Sequence, residues 1–123
     1  MDILLVGLGG ALGAISRYLV GNIIGKTLGT ALPYGTFLIN IVGCFGMGLL
    51  MTFIVDRQLL PPMARLVLCV GFLGGFTTFS SFGYETLALL HNGRLLAALG
   101  YSCGSVMLGV LAAALGAYIA RIA

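Results

Sequence analysis

The chain has 123 residues, of which 60% are hydrophobic and only 7% are charged, and its net charge is +3. Because a soluble domain carries about 25% charged residues, this composition excludes a water-soluble globular protein. The six basic residues are scattered singly, as anchors at helix ends are, and do not form the basic patch that nucleic-acid binding requires.

Four apolar segments are long enough to cross a bilayer, which takes about 20 residues. These segments are, approximately, residues 3–21, 35–55, 66–90 and 95–119. Pro33, Pro61 and Pro62 fall in or beside the connecting loops, where helices end. The loops leave no room for a soluble domain, so we expect 1–123 to form a single all-α membrane domain with four spans.

The first span begins almost at the N-terminus, after Asp2 and without the positive segment of a signal peptide. We therefore expect a retained first helix rather than a cleaved leader. Gly9 and Gly13 lie four residues apart, which favours a close contact with another helix.

The second span places Thr36, Asn40 and Gly43 at positions i, i+4 and i+7, so the three residues share one helix face. An amide in hydrocarbon is costly unless it meets a partner or water. Asn40 could join two helices by a hydrogen bond, or it could line a polar pathway, and the sequence leaves both interpretations open.

The third span contains an unusual polar segment. Gly74 and Gly75 are followed by four hydroxyl residues, Thr77, Thr78, Ser80 and Ser81. Glycine pairs and hydroxyl side chains that bond to freed backbone groups are typical of a helix interruption, so we predict that this helix is broken in mid-membrane. Broken helices place backbone carbonyls at the midplane, where they can hold ions.

Phe79 and Phe82 follow this segment at positions i and i+3, on one helix face. An aromatic ring has a positive edge, so two rings presented edge-on could touch a small anion without binding it as tightly as an arginine would. Ordinary packing explains any single phenylalanine equally well.

The fourth span repeats polar or small residues every four positions: Tyr101, Ser105, Gly109, Ala113 and Ala117. The small residues favour a close helix contact. The two hydroxyls at one end of this face could serve packing or a polar pathway.

The three cysteines, Cys44, Cys69 and Cys103, are far apart and form no CxxC pair. We expect buried, unreactive thiols and no metal or redox site made from them. Glu85, late in the third span, is the only candidate for a carboxylate within the membrane, and His91 lies in a loop. These residues offer no catalytic constellation, so the sequence does not indicate an enzyme.

The basic residues show almost no bias between the two sides of the membrane. One side would carry Arg57, Arg65 and Arg121, and the other Lys26 and Arg94, with Arg17 near that end of the first span. Because the Lys and Arg bias sets orientation, such a chain could insert both ways round, although a weak bias could still orient it.

Three segments resemble the signature segments of the Fluc (CrcB) fluoride channels. They are GGALGAISRY at 9–18, GTFLINIVGCFGMG at 35–48 and GFLGGFTTFSSF at 71–82. The resemblance implies a multi-pass protein of a prokaryotic cell membrane that exports fluoride passively and so relieves its toxicity. It also implies an antiparallel, dual-topology homodimer, with two fluoride pathways at the subunit interface and a structural sodium ion at the centre.

The resemblance implies a role for each matching residue. The carbonyls of Gly74 and Thr77 would hold the sodium ion. The fluoride pathway would be formed by Asn40, the phenylalanines Phe79 and Phe82, and the polar groups of Thr36, Tyr101 and Ser105. Glu85 would lie near a pore entrance, and Arg17 matches the family's first-span arginine, a structural residue. The chain departs from its relatives at Gly109, where they commonly have a serine, so water or a neighbouring side chain would have to replace that hydroxyl.

Two other classes of protein fit part of this pattern. A small multidrug-resistance exporter has four spans and often inserts both ways, but it needs a carboxylate in the first span, where this chain has Arg17. An accessory membrane subunit would show the small-residue packing without the segment of hydroxyl and aromatic residues.

Overall fold

The computed structural model describes residues 1–123 and contains helices and no strands. Helix α1 runs Asp2–Leu28, and α2 runs Tyr34–Met51 and continues as a π-helical turn, Thr52–Asp56. Helix α3 comprises Pro62–Ala64, the π-helical Arg65–Leu73, and Gly74–Phe76. Helices α4 and α5 run Phe79–His91 and Leu95–Ile122.

Four stretches of these helices are long and apolar enough to cross a membrane, as predicted. The first is longer than expected, because α1 continues through residues that the sequence assigned to a loop. It ends at Gly29, whose φ of 82° is readily adopted only by glycine and whose N–H donates to the Gly25 carbonyl at 3.0 Å. Helices α2 and α3 begin at or beside a proline, Pro33 and Pro62 respectively. The missing proline N–H costs nothing there, because the first N–H groups of a helix have no partner within the helix.

Helices α1 and α3 pack backbone against backbone. A Cβ at Gly71 would lie 2.9 Å from the Val6 carbonyl oxygen, and one at Gly13 would lie 2.9 Å from the Phe76 nitrogen. Real Cβ atoms do not approach backbone atoms this closely, so only glycine permits the contact. The predicted role of Gly9 and Gly13 in a close helix contact is therefore met by α3.

Helices α2 and α5 form the second tight pair. A Cβ at Gly116 would lie 2.9 Å from the Leu49 nitrogen, and Gly48 is equally close to Ala113 on the opposite helix. The small-residue face predicted for the fourth span therefore packs against the second span. Helix α4 packs on α5 through Leu89, Ala98 and the ring of Tyr101.

Polar contacts tie the loops to the helix ends. Arg57, which follows α2, donates to the Ala120 carbonyl at 2.8 Å in the last turn of α5. Arg121 pairs with Asp56 at 3.5 Å between exposed side chains, and Arg94 donates to the Ala31 carbonyl in the loop after α1. These contacts position both ends of α5 against the α1–α2 half of the subunit.

We expected three buried thiols. This expectation is wrong for Cys103 and only partly met by Cys44. Cys69 is buried, Cys44 is half-buried and Cys103 is exposed on the outside of the subunit. Apolarity of a span does not reveal which side of the helix faces the bundle, because lipid-facing and packed positions are both apolar.

Candidate functional site

The candidate site is centred on two residues with extended backbone between α3 and α4. Thr77 has φ −80° and ψ 158°, and Thr78 has φ −151° and ψ 119°. Thr78 is also the N-cap of α4, because its hydroxyl oxygen accepts a hydrogen bond from the Ser81 N–H at 3.2 Å. Gly43 of α2 allows this segment to approach, since a Cβ at that position would collide with the Thr77 methyl group.

The side chain of Asn40 bonds to the backbone of this extended segment. Its Nδ2 donates to the Thr78 carbonyl at 3.0 Å, and its Oδ1 accepts from the Thr78 N–H at 2.8 Å. The amide thus satisfies both polar groups of one peptide residue where helical partners are missing. One N–H of the Asn40 amide is left over from these two bonds.

Several carbonyls lose their helical donors at the same place, and those of Gly74 and Thr77 are two of them. In a continuous helix, the N–H of Thr78 would donate to Gly74 and the N–H of Ser81 would donate to Thr77. Here both donors go elsewhere, to the side chains of Asn40 and Thr78 respectively. The carbonyls of Gly74 and Thr77 are therefore available to another electropositive partner.

Glu85 connects two other helices. The Thr36 hydroxyl donates to its Oε1 at 2.6 Å, and the Tyr101 hydroxyl donates to its Oε2 at 2.8 Å. The Tyr101 ring also packs on Phe82, with ring centroids 5.2 Å apart. Three residues singled out separately in the sequence thus form one hydrogen-bonded group across α2, α4 and α5.

A groove of about 300 Å³ lies on one side of the extended segment. It is lined by ten residues: Asn40, Gly43, Cys44, Met47, Thr77, Thr78, Phe79, Phe82, Ser105 and Val106. No acidic side chain is among them. The Ser105 hydroxyl oxygen is buried and has no hydrogen-bond partner within the subunit. Phe79 is 83% exposed, so a single subunit leaves the groove open on that side.

A larger cavity of about 640 Å³ also borders the extended segment. Its polar lining includes Arg17, Thr36, Ser81 and Glu85, and Thr78 lines both this cavity and the groove. We call this larger cavity the vestibule. The extended segment therefore borders two spaces within one subunit, through Thr78.

The predicted site residues divide between these two spaces. Asn40, Phe79, Phe82 and Ser105 line the groove, whereas Thr36, Glu85 and Arg17 line the vestibule. Tyr101 lines neither and joins the site through its bond to Glu85.

Sequence reasoning assigned no individual role to three further residues that the structure brings to the site. Thr78 and Ser81 were noted only as hydroxyls, and Cys44 was expected to be inert. The position of Cys44 four residues after Asn40, on the same face of α2, was an available sign.

The chain is similar to known proteins along almost its whole length. The family model described as CrcB-like protein, Camphor Resistance (CrcB), matches residues 4–117. A relative from Chloroflexus aurantiacus, named fluoride-specific ion channel FluC, is 50% identical over 120 residues, covering 98% of this chain and 95% of the relative. A protein of the same name from Solibacter usitatus is 46% identical over 121 residues, covering 98% and 99%. The chain therefore belongs to the CrcB family, which includes these proteins named fluoride-specific ion channel FluC.

Proposed function

We propose that this protein is a fluoride-selective ion channel, not an enzyme, that lets fluoride leave a prokaryotic cell passively and so relieves its toxicity. The observation that carries the proposal is the groove, which combines hydrogen-bond donors with two phenylalanines and contains no carboxylate. Fluoride is small and strongly hydrated, so a pore must replace its water with donors such as amide and hydroxyl groups. The names of the relatives support the same function.

The proposed route runs from the vestibule to the groove past the extended segment. Arg17 gives the vestibule a positive charge, and Glu85 lies near this pore entrance with both carboxylate oxygens accepting hydrogen bonds from Thr36 and Tyr101. Those bonds keep the only intramembrane carboxylate occupied and turned away from the groove lining. An anion in the groove then meets donors and no negative charge.

In the groove, the remaining Asn40 N–H and the Ser105 hydroxyl supply donors, since the latter has no partner of its own. Phe79 and Phe82 lie with ring centroids 5.6 Å apart and planes tilted by 41°. The positive edge of such a ring can attract an anion, although more weakly than a cationic side chain does. Weak binding at several points allows both selectivity and rapid release.

The working unit in this proposal is an antiparallel homodimer with two pathways at its interface. The exposure of Phe79 supports it, because a groove open on one side needs a second wall to exclude lipid. Gly83 on α4 and Gly100 and Gly104 on α5 support it too. Both helices carry groove residues, and a Cβ at each of these glycines would meet no atom within 4 Å in the single subunit. Exposed small residues on membrane helices are typical of helix–helix interfaces.

A structural sodium ion fits the interruption of the third span. Gly74 and Thr77 offer carbonyls that have lost their helical donors, and carbonyl oxygens are hard ligands that suit a hard cation. The chain contains no cluster of three or more His, Cys, Asp or Glu side chains that could hold a metal instead. In an antiparallel dimer, the ion would interact with the carbonyl dipoles of Gly74 and Thr77 from both subunits. It would thereby hold the interrupted helices of the two subunits together.

The alternative classes have less support. A proton-coupled multidrug exporter needs a free carboxylate in the membrane, and Glu85 is instead bonded to two hydroxyls. An accessory subunit would have no need of donors and phenylalanines gathered in one groove.

An efflux assay tests the proposal. Liposomes containing the purified protein and potassium fluoride should release fluoride rapidly on addition of valinomycin, measured with a fluoride electrode. Liposomes loaded with potassium chloride are the control and should release almost nothing. Equal chloride loss, or fluoride loss only with a proton gradient, would contradict a passive fluoride channel.

A further inference from the structure

Cys44 and Gly109 lie against each other one helix turn beyond the predicted pathway residues. Cys44 follows Asn40 by four residues on α2, and Gly109 follows Ser105 by four residues on α5. Gly109 is buried, and a Cβ at that position would lie 3.4 Å from the Cys44 sulfur. A serine side chain at position 109 would have to share its space with the thiol.

The thiol also reaches the groove. Cys44 lines it together with Asn40 and Ser105, whose buried hydroxyl has no partner. Of the three cysteines, it is the only one that lines this groove, since Cys69 is buried elsewhere and Cys103 lies on the outside of the subunit.

We infer that the Cys44 thiol is a pathway donor and that Gly109 leaves the room for it. This inference rests on the proposed fluoride pathway. An S–H group is a weaker donor than an O–H group. The thiol therefore lines the track without holding the anion tightly, which is what conduction requires of each point along a pore.

Paired substitutions separate a donor from a packing role. Cys44→Ala removes the donor at little change of volume and should slow fluoride efflux by about fivefold, the scale of one lost hydrogen bond. Cys44→Ser keeps a donor and should stay within about twofold of the wild type. Adding Gly109→Ser to Cys44→Ala should restore most of the fluoride efflux. The efflux rate of the double variant should therefore exceed the rate expected from multiplying the effects of the two single substitutions.

Two outcomes of these flux measurements would overturn the inference: equal losses for Cys44→Ala and Cys44→Ser, or multiplicative effects of the substitutions at 44 and 109. If the wild type itself releases no fluoride, the proposed function fails, and the position of the thiol is then decided by labelling.

Labelling uses two single-cysteine proteins, one retaining Cys44 and the other retaining Cys69, which is 3% exposed and outside the groove. Each is treated in liposomes with methyl methanethiosulfonate, a small neutral thiol reagent, and the adduct is measured by mass spectrometry. Cys44 should react faster than Cys69. If the wild type conducts fluoride, modification of Cys44 should also block fluoride efflux. Equal or slower labelling of Cys44 would show that the thiol does not line an accessible groove.

Discussion

At the scale of single residues, the sequence left two interpretations of Asn40 open, and the structure shows its side chain making contacts of both kinds. Its amide bonds to both backbone groups of Thr78, and it also lines the groove. Asn40 can therefore join two helices and line the groove at the same time, because one amide has two donor hydrogens and an acceptor oxygen.

Substituting Asn40 should affect both kinds of contact. In Asn40→Asp, a carboxylate oxygen would replace the donor that faces the Thr78 carbonyl at 3.0 Å. We expect the free energy of unfolding to fall by about 1–3 kcal/mol, the cost of an unsatisfied buried acceptor. Thermal unfolding of the purified protein in detergent measures this loss.

The carboxylate should also repel fluoride, so efflux in Asn40→Asp should be close to the background of empty liposomes. Asn40→Ala is the matched comparison, because it removes the same bonds without adding charge. It should be destabilised similarly but should conduct more fluoride than Asn40→Asp. Full flux in both variants would remove Asn40 from the pathway.

Phe79 and Phe82 give a second test at this scale. Phe79→Ile and Phe82→Ile keep an apolar side chain but remove the ring edge, so fluoride efflux should fall by about tenfold, the equivalent of roughly 1.4 kcal/mol. Tyr84→Leu is the control, since Tyr84 is an exposed aromatic residue of the same helix that lines neither the groove nor the vestibule. A similar loss of flux in Tyr84→Leu would point to general damage to α4 and not to ring–ion contacts.

At the scale of the helices, two groups of glycine contacts pair α1 with α3 and α2 with α5. The first pairing holds the segment that leads into Thr77, and the second sets α2 beside α5, so that residues of both helices line the groove. The π-helical part of α3, Arg65–Leu73, and the turn that follows it, Gly74–Phe76, both pack on α1. Wider π-helical turns are frequent at functional sites, which fits their position just before the extended segment.

Adding one methyl group should distinguish packed from open glycines on the same helix. In Gly13→Ala, the new Cβ would lie 2.9 Å from the carbonyl carbon of Phe72, so the backbones must separate. We expect a loss of about 1–3 kcal/mol in the free energy of unfolding, as overpacked sites show. In Gly7→Ala, the Cβ would meet nothing within 4 Å, and stability should stay equal or rise. Thermal unfolding in detergent measures both, and equal stability of the two variants would contradict the tight α1–α3 contact.

At the scale of the whole molecule, the open side of the groove and the balanced loop charges lead to the same proposal. A second subunit would complete the groove, and insertion in both orientations would supply an antiparallel partner. The ion pair of Asp56 with Arg121 also shows that some of the few charges at the helix ends are engaged within the subunit.

Dual topology can be measured in cells. Cys44, Cys69 and Cys103 are replaced by serine, and a single cysteine is added after Ala123. An impermeant thiol reagent applied to intact cells should then label about half the copies, because the Lys and Arg bias that sets orientation is nearly absent. Labelling near zero or near completion would show a single orientation and exclude the antiparallel dimer.

Much of this protein could be predicted from local patterns. Apolar length predicts the four spans, and four-residue spacing identifies the faces of α2 and α5 that carry Asn40 and Ser105. Glycine and hydroxyl residues single out the segment in which Thr77 and Thr78 are extended. These features depend on helix periodicity and backbone preference, which act over a few residues and are therefore written in the sequence itself.

Contacts between helices were decided only by the tertiary structure. The amide of Asn40 meets Thr78, which is 38 residues away, and Glu85 meets Thr36 across 49 residues. The proximity of Cys44 to Gly109 belongs to the same class, as does the division of the predicted residues between groove and vestibule. A polar side chain in an apolar span must find a partner, but the partner depends on how closely glycines let the helices approach and how far they rotate against each other. That relative placement results from packing of the whole subunit, and no local pattern specifies it.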